Sequence, residues 1–525
     1  MEMENNLPKG WVECSIGEIL TAKKGKKPAS TIDEPREGYV PYILIDEMEG
    51  KQIRTYTNDP KVSIIDETEV LLVWDGSIGK CGSGLKGAIG STLVGLKALG
   101  GIQTKFLEYT IRQQNNFIKE TSTGTGLQHI NKDFFEICKI PLPPLAEQHR
   151  IVAKLDALFE KIESNKQRLE KIPKLLKRFR QSVLAAAVSG KLTEEWRVVN
   201  KNSVDDLIKK VNIIREEKYK AELETAKKLK LRKPKRPSNL VIEVILNGDF
   251  SIPDEWRLIT LESSASIEHY AMSSGPFGSA LGTKDYKETG VKVIRGQNIQ
   301  NGTFIENNFV FISEVKANEL KRSSVKEGDL IVVAVGSSGQ VALVPKSMTG
   351  SIMSQNCNKM TFDEFLIESK YVLMYLQNSM AISQLKDKTT DTARPFLSLT
   401  NLKSVIIPLA SIEEQKEIVR RVEQLFAFAD KIEARYTKAK AMLDKLPQSI
   451  LAKAFRGELV AQDPNDEPAS VLLERIKAEK EKLAAEKKLI RQAQGKGKKT
   501  KEYSIEEKSV KIAAEKKINY KNKKK

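Results

Sequence analysis

Apolar residues recur at alternating spacings of four and three along Ile151, Leu155, Leu158, Ile162, Asn165, Leu169, Ile172, Leu176, Phe179 and Val183. A stripe that narrow predicts a long helix with a coiled-coil seam rather than the wider apolar face of a helix lying on a globular core. Asn165 is the polar interruption in it, a device that fixes register at some cost in stability. The same pattern returns at Ile418, Val422, Leu425, Ala429, Ile432, Tyr436, Ala439, Leu443, Leu446 and Ile450. The wording returns with it. IPLPPLAEQHRIVAKLDALFEKI at Ile140–Ile162 reappears as IPLASIEEQKEIVRRVEQLFAFA at Ile407–Ala429, and QSVLAAAVSGKL at Gln181–Leu192 as QSILAKAFRGEL at Gln448–Leu459. The separation is 267 residues throughout, without insertion or deletion. Loops drift in length, so a gapless repeat of this size predicts one rigid element used twice.

The ends of the two predicted helices are marked. Ser411 and Glu414 have capping-box spacing, and both copies place a glutamate (Glu147, Glu414) in the positive first turn. Gly190 and Gly457 suit a left-handed cap, with Leu192 and Leu459 placed to fold back on the last turn. Pro173 and Pro447 fall inside the pattern, and an interior proline predicts a bend or break near both. Two seams of equal length most simply pack on each other; the alternative is two separate helices, each packed on its own neighbour.

The stretches between are less regular. Residues 1–139 read as a compact mixed domain with strands at Val40–Ile45 and Val70–Trp74, Gly-rich loops at Gly76–Gly90 and a helix around Lys105–Lys119. TSTGTGLQ (Thr121–Gln128) is a hydroxyl-rich loop able to offer N–H groups to a phosphate or a base edge, although ordinary turns use the same residues. A charged helical stretch at Ser203–Leu231 reads as a solvated linker or surface helix. Then IPDEW (Ile252–Trp256) echoes LPKGW (Leu7–Trp11), and GSSG (Gly336–Gly339) echoes GSIG (Gly76–Gly79). The expected layout is domain 1–139, helical spacer 140–198, linker 199–238, a diverged second domain 239–406, second spacer 407–462 and a basic helical or disordered tail 463–525.

Charge and composition narrow the function. The net charge is +18, yet Lys201–Ser238 (13 basic, 6 acidic) and Val471–Lys525 (19 basic, 8 acidic) account for the whole excess. The body is neutral, so nucleic-acid contact there has to rest on local patches. Four scattered cysteines and three histidines argue against a disulfide framework or a zinc site. MEMENN is no signal peptide, and no apolar run nears the ~18 residues that span a bilayer; the expectation is a cytoplasmic protein. Catalytic motifs are missing. There is no [DNS]-P-P-[YF] sequence and no GxxxxGK[ST] loop, and Glu49–Lys51 with Asp33 upstream only faintly resembles a nuclease site. His129, His149 and His269 show no partner constellation.

KIPLPPLAEQ (Lys139–Gln148) with IPLASIEEQ (Ile407–Gln415), QSVLAAAVSGKLT (Gln181–Thr193) with QSILAKAFRGEL (Gln448–Leu459), SGPFGSAL (Ser274–Leu281) and the Gly-Thr-Gly loop before Asn131 carry a resemblance. The chain resembles the specificity subunit of Type I restriction–modification systems over all but its basic tail. The resemblance implies an α+β chain with a pseudo-two-fold internal repeat, two mixed α/β target-recognition domains alternating with two long helices paired as an antiparallel coiled coil. It implies that each domain reads one half of a split, asymmetric site in double-stranded DNA. The spacer would set the gap and dock two methyltransferase subunits, with restriction and translocase subunits added. Catalysis, S-adenosylmethionine, ATP and Mg would belong to the partners, with no cofactor in this chain. A coiled-coil scaffold without DNA recognition is the alternative.

Candidate DNA contacts are basic and amide residues in the Gly-rich loops: Lys24, Lys26, Lys27, Lys80, Thr123, Thr125 and Gln128 in the first domain, and Ser274, Ser279, Lys284, Arg295, Gln297, Asn298, Gln340 and Arg394 in the second. Arg reads guanine, Asn and Gln read adenine, and Lys and Ser more often hold phosphates. Candidate spacer contacts are Ile151, Leu155, Leu158, Ile162, Asn165 and Leu169 in the first helix and Ile418, Val422, Leu425, Ile432 and Tyr436 in the second.

Overall fold

A computed structural model describes residues 7–489 except 125, 231–232, 235, 238–239, 243–250, 301 and 389–395. The chain forms two compact units, residues 1–168 with 439–525, and residues 169–438. Each holds one globular lobe and one section of each duplicated helix.

The central strand of each lobe is apolar without alternation because it is buried on both faces. In Glu69–Val73, Val70 and Leu72 face one core while Leu71 and Val73 face another. Leu330–Val333 repeats this, Leu330 and Val332 to one side and Ile331 and Val333 to the other. Around them the sheets correspond. The first lobe orders Leu20–Lys24, Leu93–Ala98, Glu69–Val73 and Cys81–Ser83 antiparallel; the second orders Met272–Ser274, Cys357–Met360, Leu330–Val333 and Val341–Leu343 likewise. Each lobe has a further sheet containing one parallel pair, Tyr42 with Ala88 and Val293 with Ile352. A two-stranded ribbon closes each lobe at the root of a duplicated helix. Cys14 pairs with Ile140 in one, Ile259 with Ile407 in the other.

The first duplicated helix is broken. Helix α1 spans Leu145–Leu169 and α2 spans Ile172–Val188, with Pro173 at the start of α2, where its missing N–H costs nothing. Helix α3, Val204–Lys228, follows. The second copy is continuous: α4 runs through Ile412–Ala454 with Pro447 inside it. Of the bend or break expected at Pro447, no break occurs.

Within each unit the two copies run antiparallel. In the first, Ile151 and Leu155 share a core with Leu451, Ala454 and Phe455, and Lys166 pairs with Asp444 at 3.4 Å. In the second, Arg180 reaches Asp430 and Glu433, both at 2.7 Å, Arg421 donates to the Leu192 carbonyl, and Thr193 donates to Glu414. Positions rise along one copy as they fall along the other.

The seam is narrow only away from the lobes. Near them Val152 and Val419 are buried beside Ile151 and Ile418, so the helix ends do lie on globular cores, contrary to the sequence reading. Further along, Leu155, Ile162 and Val422 are buried, whereas Leu158, Leu169, Leu425, Ile432 and Tyr436 are half-buried. Asn165 is exposed rather than buried in the seam, where a register-fixing polar residue would lie.

Helix α3, expected as a solvated linker or surface helix, packs into the second lobe. Val204, Ile208 and Val211 enter its main core, and buried Arg215 donates to Asp363 at 2.9 Å and to the Ala265 carbonyl at 3.1 Å. The start of the supposed tail behaves the same way. Helix α5, residues 469–489, sets Leu472 and Ile476 in the core of the first lobe, and Glu479 accepts from the Gly100 N–H at 2.9 Å.

The LPKGW and IPDEW echoes have a structural cause. Trp11 Nε1 donates to Glu147 and Trp256 Nε1 to Glu414, each at 2.9 Å. Pro8 and Pro253 sit against Gly457 and Gly190, which take φ of +75° and +72° as left-handed caps. A Cβ on either glycine would lie 2.5 Å from the proline ring. Ser411 Oγ accepts from the Glu414 N–H at 3.2 Å, but the Glu414 carboxylate turns to Trp256 instead of closing the capping box.

Candidate nucleic-acid interface

Two backbone constraints shape the surface of each lobe. At the end of its edge strand, Gly25 donates to the Leu93 carbonyl and Gly275 to the Cys357 carbonyl, both at 2.9 Å. A Cβ there would stand 2.0 Å from the Gly90 oxygen or 1.9 Å from the Ser354 oxygen, so only glycine allows the approach. The second constraint is the GSxG turn after the central strand. Gly79 donates to Val73 at 3.2 Å and Gly339 to Val333 at 2.9 Å. A loop from further along is then pinned beside the turn, Ile130 N–H to the Trp74 carbonyl at 3.0 Å and Leu397 N–H to Ala334 at 2.9 Å.

In the first lobe these contacts gather three distant stretches. Lys24 Nζ lies 3.4 Å from Asp75, and His129 Nδ1 donates to Asp75 at 2.7 Å. Gly76 donates to the Gln128 carbonyl at 2.9 Å, and Thr123 and His129 exchange backbone bonds at 2.9 and 2.8 Å. Lys24, Lys26, Lys27, Thr123 and Gln128 are all exposed. His129, read as having no partner, has one; Asp75 and His129 are the residues that sequence reasoning missed. The one signal available was their placement, directly before GSIG and directly after the Gly-Thr-Gly loop. Lys80 instead pairs with Glu49, and Lys51 with Asp46 at 3.0 Å, so Glu49 and Lys51 do not converge.

The second lobe uses its candidates differently. Ser274 is half-buried at the strand end, and Ser279 and Lys284 are exposed. Arg295 and Gln297 both donate to the Asn308 carbonyl, at 2.7 and 3.1 Å. Asn298 is fully buried, donating to the carbonyls of Ile305 and Asn307 and accepting from the Arg295 N–H, which removes it from base contact. Gln340 is half-buried. Thr125 and Arg394 lie outside the described residues. Two aromatic rings are exposed here instead, Phe277 at 68% and Phe396 at 44%, with the Arg322 guanidinium 5.7 Å from the Phe277 ring centre.

The family model of the Type I restriction modification DNA specificity domain matches twice, at residues 8–174 and 275–440. The chain belongs to that family. It is 34% identical over 384 residues to the Type I restriction enzyme EcoBI specificity subunit of Escherichia coli, covering 72% of each chain. It is 29% identical over 512 residues to the EcoKI specificity subunit of E. coli K12, covering 90% of this chain and 96% of the relative. The fold matches the HsdS subunit from Thermoanaerobacter tengcongensis with a TM-score of 0.52 at 18% identity, over 87% of this chain and 99% of that one. A chain from a structure describing complex assembly and conformational transition of the type I R-M system matches with a TM-score of 0.59 at 18% identity, over 86% and 99%. This specificity subunit is not an enzyme in its own right.

Among the described residues no group of three or more His, Cys, Asp and Glu side chains is placed to hold a metal ion. None of the described helices is long and apolar enough to cross a membrane. The four cysteines are unbridged, and burial pushes the Cys14, Cys138 and Cys357 thiols up to about 12.

Proposed function

We propose that each lobe reads one half of a split, asymmetric sequence in double-stranded DNA, and that the duplicated helices set the gap and carry two methyltransferase subunits. Restriction and translocase subunits join that core. S-adenosylmethionine, ATP and Mg act on the partners, and this chain supplies addressing alone. The observation that supports this most directly is the pair of GSxG turns and strand-end glycines. Both lobes build the same backbone around them and furnish it with unlike side chains, as two readers of two different sequences require. A scaffold role would leave that divergence without a purpose.

Methylome sequencing of a host with and without the gene tests the reading. The expected result is a bipartite motif, methylated in each half, that vanishes with the gene; methylation indifferent to the gene would overturn it. Lys26 and Lys27 are exposed and make no ion pair among the described residues. Their reading as phosphate contacts predicts that Lys26→Ala weakens binding to every sequence alike and lowers the slope of log affinity against log salt by about 1. A Lys26→Ala chain with an unchanged salt slope would remove Lys26 from the interface.

A further inference from the structure

The same backbone position in the two lobes carries opposite chemistry. The residue before each GSxG turn bridges to the residue that ends the neighbouring loop. That pair is Asp75 with His129 in the first lobe and Val335 with Phe396 in the second. The flanking bonds show the equivalence, since Ile130 to Trp74 and Leu397 to Ala334 are the next contacts along. Resting on the DNA-reading function above, we propose that this pair is the base-discriminating position of each lobe, His129 taking an exocyclic amino group and Phe396 a thymine methyl.

The chemistry follows from what each pair exposes. An ionised carboxylate has lone pairs only, so the proton in the 2.7 Å contact sits on His129 Nδ1. That fixes the tautomer and leaves Nε2 as an acceptor in the neutral ring. Among the described residues Nε2 makes no hydrogen bond, and the side chain is 44% exposed. In the major groove, an acceptor at this place complements adenine N6 or cytosine N4. Lys24, 3.4 Å from the other Asp75 oxygen, balances the carboxylate against the phosphates such a surface must approach. Val335 and Phe396 offer no polar side-chain atom. A phenyl ring 44% exposed beside the turn complements the one apolar group in that groove, the C5-methyl of thymine.

Both pairs also help to close a loop, so the test must separate reading from folding. The full chain is produced with its methyltransferase partners, and the methylome is sequenced for His129→Ala, Asp75→Asn, Phe396→Ala and the double variant Asp75→Val with His129→Phe. His129→Ala is expected to lose about 2- to 12-fold discrimination at one base pair of one half-site, the range for one hydrogen bond, leaving the other half intact. Asp75→Asn keeps the contact but frees the tautomer, and should alter preference at that same base pair. Phe396→Ala should relax one T·A pair in the other half-site. The double variant transplants the second lobe's pair onto a matching backbone. It should fold even if His129→Ala does not, and should shift the affected position towards T·A. An intact bipartite motif in every variant overturns the proposal while leaving the DNA-reading function standing. A wild-type chain with no such motif refutes that function itself.

Discussion

Glu414→Gln is expected to destabilise the second unit by about 3–5 kcal/mol, the cost of breaking a buried ion pair by removing one partner. Glu147→Gln, at the matching position, is expected to cost little. The difference lies in what surrounds two aligned glutamates. Glu414 accepts from Trp256 at 2.9 Å, from Thr193 at 2.7 Å, and from Arg197 Nε and Nη2 at 3.0 and 2.8 Å. Neutralising it leaves a mostly buried guanidinium without its counter-charge. Glu147 is equally buried, but among the described residues it accepts from Trp11 alone, and its other oxygen makes no hydrogen bond there. Burial therefore raises its carboxyl above the ordinary range, against the pull of Trp11 and Arg150. A glutamine oxygen can still accept from Trp11.

The pH dependence separates the two further. A raised carboxyl means that the folded lobe holds the proton more tightly than the unfolded chain. Its contribution to stability is thus fully present below the unfolded value and is lost as pH rises through the folded one. Glu147→Gln should flatten that fall in the first unit. Urea unfolding from pH 4 to pH 8, followed by hydrogen exchange at the amides of 9–16 and 254–261, checks both claims. Equal losses for the two variants would refute the distinction.

Deleting everything from Asp463 onward is expected to destabilise the first lobe by about 3–6 kcal/mol, from the burial of Leu472 and Ile476 alone at about 1.5–3 kcal/mol each. Both side chains are almost wholly enclosed. The same deletion removes the two bonds from Arg150 to Asp466, at 3.3 and 2.6 Å, and the Ala469 N–H bond to the Gly10 carbonyl at 2.8 Å. Stopping instead after residue 489 removes 13 basic and 4 acidic residues and none of these contacts. That shorter deletion should leave the melting temperature in place and weaken DNA binding only at low salt. A first lobe that melts normally without 463–525 would show that α5 is dispensable.

The duplicated helices were legible because a gapless repeat survives divergence, and their caps because Gly190 and Gly457 leave a readable mark. Packing of α3 and α5 was not legible. Their buried positions, Val204, Ile208 and Val211 or Leu472 and Ile476, are few and embedded among lysines and glutamates that stay in water, so the average looks solvated. Asn165 misled for a related reason. It sits at the right spacing, but its side chain is exposed. At the surface, residue type pointed to the right loops and not always to the right side chains. Asn298 resembles an adenine reader and is spent on the Ile305–Asn308 loop. Asp75 and His129 lie 54 residues apart and meet only once the sheet is formed.

The division of the chain also sets an order of maturation. Residues 169–438 are contiguous, so the second unit has all its parts once they have left the ribosome. The first unit needs residues from both ends. Pro8 waits for Gly457, Gly10 for Ala469 and Gly100 for Glu479. The half translated first is therefore completed last, and a nascent chain must shelter an open apolar core for most of its synthesis.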